Sequence, residues 1–354
     1  MLYGYPLAAT TGNWLHECVL GTIENVHAYV EAHGRVPGWP DVLPEPWRST
    51  LATRLGLRDG VKRYGKVLLR LNPSERGQIL VAMRSQNRIS ELLSGACDCE
   101  LLDELPEPIR AEVKLLFGYA YDTLLDELGI RDEHYRLIYK EIPAKVCPFC
   151  GTTRFKSPEG PREAYDHYLV WKLYPFAAVN LRNLVPMCHD CNSHYKKTVD
   201  LLRACGVRRT ALDPYNWAAV RVSLDKSAPL EGKRGVFPVP AWEIEFEPLS
   251  NEVSTWETVF CIKRRYIQDH LDADFDSWLR TFQTWARREG VLADSDDAIV
   301  RALQRYENIV SFEPLHDRGF LKAAVFRMLR LRCEEPVQEL LTHFRNLLRT
   351  PAPG

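Results

Sequence analysis

The chain has 354 residues, of which 45% are hydrophobic and 26% are charged, and its formal net charge is −1. This composition is typical of a globular protein with one large domain or two to three smaller ones. No segment approaches the ~20 apolar residues of a membrane span. The start, Met1–Pro6, lacks the basic and apolar pattern of a secretory signal. We therefore predict a cytoplasmic protein with no membrane partner.

The small net charge conceals an uneven distribution along the chain. Residues 140–209 hold twelve Lys and Arg against six Asp and Glu, whereas residues 98–133 hold eleven acids against three bases. One interpretation is two solvated faces of opposite sign. The other is a phosphate-binding zone confined to 140–209. Charge alone leaves both open.

Residues 14–30 show the three-and-four spacing of apolar residues that is typical of an amphipathic helix, and shorter helices are expected over the rest of residues 1–143. Asn72-Pro73-Ser74-Glu75 is a helix start signal, and Gly34 and Gly129 are stop signals. These patterns predict a helical N-terminal region without a nucleotide-binding glycine motif. Its helices are expected from about Trp14 to Gly34 and near 46–56, 59–70, 74–94, 108–128 and 131–141.

Two C-x-x-C pairs mark the middle of the chain. Cys147 and Cys150 form the first pair, and Cys188 and Cys191 form the second. Because each two-residue spacing lets two thiolates converge on one ion, the four cysteines predict a tetrahedral zinc site. The other six cysteines are scattered, and the one-residue spacing of Cys97-Asp98-Cys99 suits zinc poorly.

The segment between the cysteine pairs predicts two short strands. Residues 162–170 have strand character, and Leu184–Met187 is an apolar run that leads into Cys188. With a helix after Cys191, these strands would place Asp166-His167 opposite the helix start. Adjacent residues of an ideal strand point to opposite sides. Both side chains could face the same side only if the strand is twisted or bulged at this dipeptide, so we expect a twist or a bulge there.

The C-terminal part returns to helix. A helix is predicted from Asn192 to Cys205, a mixed segment over 207–255, and a strand over Trp242–Glu247, where apolar and charged residues alternate. Further helices are expected at about 256–269, 272–289, 294–308, 317–332 and 335–349. The predicted fold class is α+β, mostly α. Its predicted regions are a helical N-terminal region (1–143), a zinc-clamped module (144–209) and a mostly helical C-terminal region (210–354).

The order of motifs in the module resembles a known family. Asp166-His167, Asn183-Leu184-Val185-Pro186 and Cys188-His189-Asp190-Cys191-Asn192 follow one another in the chain. This order resembles the HNH endonucleases, whose core is the ββα-metal (His-Me finger) fold, in the four-cysteine variant of McrA-like and endonuclease VII-like members. The resemblance covers residues 147–196.

The resemblance implies the roles of the site residues. His167 would be the general base that activates water, and Asp166 and Asn192 would hold one catalytic Mg²⁺ or Mn²⁺ through oxygen ligands. Asn183 would maintain a loop whose backbone carbonyl orients His167. The four cysteines would hold structural Zn²⁺. The implied substrate is DNA, cut by hydrolysis of phosphodiester bonds, and the loosely similar flanks suggest a bacterial defence or mobile-element setting.

The chain departs from the family pattern after the D-H dipeptide. Trp171 stands where many relatives have lysine, and Lys172 follows one place later. We predict that Lys172, Arg182, Lys196 and Lys197 contact the phosphate backbone of the nucleic acid.

Several alternatives stay open at this stage. The four cysteines alone fit a structural zinc module that binds nucleic acid without cutting it, and the site itself would also suit RNA. His189 is expected to be exposed, while His194 is a further candidate for contact with metal or phosphate. The helical flanks could bind a regulatory protein partner, with the acidic segment 98–133 covering the basic zone. Oligomeric state and sequence specificity are not encoded in any motif of the chain.

Overall fold

A computed structural model describes residues 1–160, 164–217, 219–234, 237–335 and 338–350. Within these ranges the chain is mostly helical and also forms short antiparallel sheets of two strands each. The predicted class, α+β and mostly α, is therefore confirmed. No helix in the described ranges combines the length and the apolar character needed to cross a membrane.

The helices fall into N-terminal and C-terminal sets. The N-terminal set is α1 (Trp14–His33), α2 (Arg48–Leu51), α3 (Leu55–Leu68), α4 (Pro73–Gln86), α5 (Ile89–Ser94), α6 (Glu107–Tyr119), α7 (Leu125–Glu127) and α8 (Ile130–Glu141). The C-terminal set is α9 (Asn251–Phe260), α10 (Ile262–Arg265), α11 (Asp272–Arg288), α12 (Asp296–Ser311), α13 (Gly319–Glu334) and α14 (Gln338–Arg349). Wider, π-helical turns occur at Ala120–Leu124, Asp190–Lys196 and Tyr266–Leu271. Short 3₁₀ turns lie at Leu7–Gly12, Glu45–Trp47, Leu102–Glu104, Pro175–Ala177 and Leu181–Asn183.

The strands pair as four antiparallel ladders in the described part of the chain. They are β1 (Ala164–His167) with β2 (Leu184–Met187), β3 (Arg203–Ala204) with β4 (Val207–Arg208), β5 (Arg221–Ser223) with β8 (Glu245–Glu247), and β6 (Ala228–Arg234) with β7 (Phe237–Ala241).

The chain divides into two compact units. The larger unit comprises Tyr3–Lys145 and Arg154–Ala218, and the smaller unit comprises Met1–Leu2, Val146–Thr153 and Ala219–Gly354. In the larger unit, one apolar core joins α1, α3, α4 and α6 to residues 176–184. Phe176 packs edge-on against Phe117 of α6, with ring centroids 5.3 Å apart. In the smaller unit, Phe282 of α11 packs against the rings of Phe326 and Phe344.

The helix start predicted at Asn72-Pro73-Ser74-Glu75 is confirmed, because α4 begins there. The Asn72 side chain accepts a hydrogen bond from Glu75 N at 3.0 Å, and Glu75 Oε2 accepts one from Asn72 N at 2.9 Å. This reciprocal capping box satisfies two of the backbone donors that a helix start leaves without partners. The predicted single helix over 74–94 is nevertheless two helices, α4 and α5.

The predicted helix from Asn192 to Cys205 is wrong beyond Lys196. Lys197 has φ 49° and ψ −124°, which ends the helical turn. Cys205 and Gly206 both have positive φ, at 49° and 78°, and form the two-residue loop between β3 and β4. Such a loop suits a hairpin because its twist matches that of the strands.

The predicted strand over Trp242–Glu247 is shorter than expected, because β8 begins only at Glu245. Trp242 is held outside it by a hydrogen bond from its Nε1 to Asp272 Oδ1 at 2.8 Å and by an edge contact with Phe275. Two predicted elements are described only in part. Arg162 and Glu163 of the predicted first strand lie outside the described residues, and so do Pro336 and Val337 of the last predicted helix.

Three buried histidines of the larger unit are neutral. Burial lowers the pKa of His16 and of His134 to about 3, and that of His27 to about 4. His27 Nε2 lies 2.8 Å from the Tyr64 hydroxyl. The Tyr215 hydroxyl donates to the Leu184 carbonyl at 2.6 Å and therefore accepts from His134 Nε2 at 3.0 Å.

These histidines predict a loss of stability in acid. The unfolded state binds protons below pH ~6.5, whereas the folded state resists protonation until pH 3–4, so stability falls as the pH decreases through this window by at most about 1.4 kcal/mol per histidine and pH unit. His27→Gln should flatten the dependence of the urea midpoint on pH between 7.5 and 5.0. Exposed His33→Gln is the control and should leave the slope unchanged. An unchanged slope in His27→Gln would contradict a neutral His27.

Candidate functional site

A hairpin and a helical turn carry the predicted catalytic residues. Strand β1 pairs with β2 in a regular register in which Asp166 faces Val185 and His167 faces Leu184. The helical segment Asp190–Lys196 follows β2 and packs against β1. The expected bulge at Asp166-His167 is wrong, because the four residue pairs run without a shift.

His167 is fixed in one tautomer by its surroundings. It is 9% exposed, and its Nε2 lies 3.0 Å from the Ala178 carbonyl oxygen. Because a carbonyl can only accept, Nε2 carries the proton and Nδ1 keeps the lone pair. Burial lowers the pKa of His167 to about 3 against the opposing effect of the Ala178 hydrogen bond, so the imidazole is neutral at pH 7.

Asn183 holds the loop that supplies this carbonyl. Its Oδ1 accepts from Leu169 N at 2.6 Å, and its Nδ2 donates to the carbonyls of Leu169 and Ala177 at 3.0 and 3.2 Å. Asn183 is fully buried, and its own carbonyl accepts from Tyr168 N at 2.9 Å. The side chain thus joins both ends of the loop from 168 to 178, next to the carbonyl that orients His167.

The rings of two aromatic residues flank the His167 imidazole, and the sequence gives no sign that Tyr121 is one of them. The Tyr121 ring lies 4.1 Å from the His167 ring, and the Trp171 ring lies 6.5 Å from it. Tyr121 belongs to the π-helical turn Ala120–Leu124, which interrupts the helix predicted as continuous over 108–128. A wider turn re-aims side chains in a way that apolar periodicity does not reveal.

A cation that influences His167 was also missed. Arg131 of α8 stacks over Tyr121, with its Cζ 4.4 Å from the ring centroid, and donates to the Tyr121 carbonyl at 2.6 Å. It also pairs with Asp126 at 2.9 Å. The charge of Arg131 contributes to the lowered pKa of His167. No motif connects residues so distant in the chain; only the fold brings them together.

Asp166 is paired with Lys196. The carboxylate is 7% exposed and the Lys196 side chain is fully buried, with Nζ 2.6 Å from Asp166 Oδ2. The distance is that of an ion pair. The angles are not those of a hydrogen bond, and Asp166 Oδ2 has no hydrogen-bond partner of good geometry in the described residues. Burial raises the pKa of Asp166 to about 6, and the Lys196 charge acts in the opposite direction.

The four predicted phosphate-binding residues therefore differ in their surroundings. Lys172 and Lys197 are exposed, as a phosphate contact requires. Lys196 is buried against Asp166, so its ammonium is not exposed for a phosphate contact in this structure. Arg182 is partly buried and donates to Asp213 Oδ2 at 2.6 Å, so its charge is already compensated.

Other polar residues in and beside the helical turn are partly or fully exposed. Asn192 is partly exposed, and its backbone N–H donates to the Cys188 carbonyl at 3.0 Å. His189 is exposed, as expected. His194 is also exposed, and its Nδ1 lies 3.1 Å from Asp190 Oδ1, so it has a local partner.

The four predicted zinc ligands lie together. The sulfurs of Cys147, Cys150, Cys188 and Cys191 are all within 4.8 Å of one another, and all four residues are buried. Tetrahedral Zn–S bonds of about 2.3 Å place sulfurs somewhat under 4 Å apart, so a zinc-sized ion fits with small adjustments. Cys97 and Cys99 do not belong to this cluster.

The first cysteine pair sits on a tight turn. Gly151 N donates to the Cys147 carbonyl at 2.7 Å, and Cys147 N donates to the Thr153 carbonyl at 2.8 Å. Gly151 has φ 69°, and a side chain there would also collide with Leu2. The left-handed conformation therefore favours glycine, and any larger residue would also require the Leu2 side chain to move.

Aromatic residues of the smaller unit hold this turn in place. Trp256 Nε1 donates to the Phe149 carbonyl at 2.9 Å, and the Phe149 ring packs on Phe260 with centroids 5.0 Å apart. The Tyr266 hydroxyl donates to the Cys150 carbonyl at 2.8 Å. The turn that carries Cys147 and Cys150 is thus positioned by side chains of its own unit.

Comparison of the chain with protein-family models, with curated proteins and with solved structures gave no match.

Proposed function

We propose that this chain is a zinc-stabilised HNH endonuclease that hydrolyses phosphodiester bonds of DNA. The observation that carries the proposal is the orientation of His167. Its Nε2 is committed to the Ala178 carbonyl, which leaves Nδ1 as a lone-pair acceptor. A neutral imidazole with one nitrogen committed to a carbonyl and a lone pair on the other can take a proton from water, as a general base does.

The chain's own residues would prepare the attacking water. His167 Nδ1 would take its proton, and the Asn183-braced loop would hold the imidazole in place. A pKa of about 3 makes His167 a weak base in the resting protein. Because a nearby phosphate anion favours the imidazolium form, substrate binding would raise the pKa of His167 towards the range in which a base is effective.

Asp166 and Asn192 offer the oxygen ligands that Mg²⁺ or Mn²⁺ prefers. When bound, such an ion supplies a positive charge that stabilises the phosphate and the departing oxygen. The donor types fit the ion, although Lys196 occupies Asp166 in this structure. Zn²⁺ would be held by the four cysteines and would contribute to folding rather than to chemistry.

DNA is proposed as the substrate because the exposed lysines Lys172 and Lys197 belong to the basic zone of 140–209. One ββα-metal site could act on either polymer, so RNA is the alternative substrate. Asp98 of the acidic segment pairs with Arg203 at 2.9 Å and with Arg208 at 3.6 Å, which covers part of this zone. A regulatory protein that competes for these arginines would fit this arrangement.

A second candidate is a nucleic-acid-binding module that does not cut. The Asp166–Lys196 pair favours it, because the predicted metal ligand is already neutralised. Supercoiled plasmid and single-stranded RNA, each incubated with the full chain in Mg²⁺, Mn²⁺ or EDTA, separate the candidates. The nuclease predicts divalent-dependent nicking that EDTA abolishes. Retarded mobility of the DNA without nicking in any divalent ion would instead establish the silent module.

Asn183→Ala should lower kcat by about ten- to a hundredfold with little change in KM, because a shift of about 1 Å in a catalytic group costs up to 10²-fold. The substitution removes all three side-chain hydrogen bonds of the loop support. The control is Asn25→Ala, which removes a single bond to the Val42 carbonyl and should leave kcat unchanged. A folded Asn183→Ala protein with wild-type kcat would show that the Asn183 hydrogen bonds are not needed to position His167.

A further inference from the structure

Lys196 is an unusual residue to find fully buried. It ends the helical turn Asp190–Lys196, and its ammonium contacts Asp166 Oδ2 at 2.6 Å and donates to the His167 carbonyl at 2.9 Å. Both contacts are on β1, at the two residues that carry the proposed chemistry. Lysine is almost never fully buried without a charged partner, and here the partner is the proposed metal ligand.

The backbone explains why this lysine points inward. The turn is π-helical, so it holds more residues per turn than an α-helix and displaces the side chains that follow. The Lys197 N–H donates to the Asn192 carbonyl at 2.8 Å, and Lys197 then leaves the helix with positive φ. As a result Lys196 is buried whereas Lys197 is exposed, although the two residues are adjacent.

The position of the ammonium conflicts with metal binding at the same oxygen. A divalent ion bound to Asp166 Oδ2 would lie about 2.1 Å from it, and the ammonium already lies 2.6 Å from it. Two cations cannot share this space, because their repulsion in a buried site is large. A carboxylate left without any cation in this place is costly as well. One cation must therefore replace the other.

We propose that Lys196 is the resident cation of the Asp166 site and must leave before a divalent ion binds, so that the resting protein has a low affinity for metal. The inference rests on the proposed function only in taking Asp166 as the ligand of the catalytic ion. Once displaced, the ammonium needs a new anionic partner. The phosphate of a bound nucleic acid is such a partner, so DNA and the divalent ion are expected to bind cooperatively.

The apparent affinity of the wild-type protein for a divalent ion then depends on the fraction of molecules in which Lys196 is displaced. If the displaced state is populated in at most about one molecule in ten, the apparent dissociation constant for metal rises at least about tenfold over the intrinsic value. Lys196→Met keeps the apolar stem and removes the charge. It should therefore bind Mn²⁺ at least about tenfold more tightly than the wild-type chain.

Mn²⁺ binding to the zinc-loaded full chain can be followed by the loss of the free Mn²⁺ signal in electron paramagnetic resonance. Lys140→Met, which removes an exposed lysine at the end of α8, is the matched control and should bind as the wild type does. Asp166→Asn in the Lys196→Met background should abolish the gain, which assigns it to this site. Equal or weaker Mn²⁺ binding by a folded, zinc-containing Lys196→Met protein, or no binding by any variant, would overturn the proposal.

A measurement on the wild-type chain keeps the inference testable if Lys196→Met does not fold. Lys196 is fully buried, so acetylation by an activated ester should spare it without Mn²⁺ and modify it at saturating Mn²⁺. Lys140 should be modified in both conditions. Continued protection of Lys196 at saturating Mn²⁺ would contradict displacement.

The two proposals can fail separately. Displacement of Lys196 by Mn²⁺ without any DNA cleavage would remove the nuclease and keep the cation exchange. Divalent-dependent cleavage with Lys196 protected throughout would keep the nuclease and remove the exchange.

Discussion

His167→Ala is expected to lower DNA cleavage by about 10²- to 10⁴-fold, the usual contribution of a positioned general base. The physical reason is the loss of Nδ1, the ring nitrogen that keeps its lone pair while Nε2 donates to Ala178. The cysteine cluster is left intact, so the variant should retain one zinc per chain and its far-ultraviolet circular dichroism. Single-turnover cleavage of a labelled duplex in Mn²⁺ measures the rate.

His33→Ala is the matched control, because His33 is an exposed histidine at the end of α1 and has no part in the site. Its cleavage rate should equal that of the wild type. A His167→Ala rate within tenfold of the wild type, with zinc retained, would show that another group activates the water.

Cys188→Ser is expected to have the largest effect on stability. It removes one of four clustered sulfurs, and structural zinc in small domains contributes about 10–16 kcal/mol of apparent binding free energy. The variant should lose its zinc, and the segment from β1 to Lys196 should become sensitive to proteases. Zinc per chain by plasma mass spectrometry and limited proteolysis at 25 °C measure both effects.

Cys205→Ser is the control for this change, since Cys205 is exposed in the β3–β4 loop and lies outside the cluster. It should keep one zinc per chain and the wild-type proteolysis pattern. Full zinc content in Cys188→Ser would exclude the four-cysteine assignment.

The sequence predicts the local features of the site better than its tertiary contacts. Spacing alone predicts the cluster of Cys147, Cys150, Cys188 and Cys191, because two-residue turns carry the geometry of the ligands. The capping signal at Asn72 predicts a helix start, because it depends only on neighbouring residues. Both features are encoded within a few positions of the chain.

Other features depend on contacts that periodicity cannot express. Lys196 looks like a surface cation in the sequence, and only the π-helical turn buries it against Asp166. Tyr121 reaches His167 through a second π-helical turn, far away in the chain. The helix predicted up to Cys205 stops at Lys196 because Lys197 adopts positive φ, a conformation that lysine seldom takes.

The predicted boundaries at residues 143 and 209, the cytoplasmic location and the defence setting stay predictions. The proposed nuclease depends on a single geometry, in which a zinc ion fixes the hairpin β1–β2 and the following turn so that His167, Asp166 and Asn192 surround a second, exchangeable ion.

Anomalous diffraction from crystals of the full chain grown with Mn²⁺ and a non-cleavable DNA duplex tests that geometry most directly. The proposed site predicts a zinc peak about 2.3 Å from the four cysteine sulfurs and a manganese peak about 2.1 Å from Asp166 and Asn192 oxygens. Lys196 Nζ should have moved away from Asp166 in the same crystals. A zinc peak alone, with Lys196 still on Asp166 and DNA bound elsewhere, would rule out the proposed two-ion geometry.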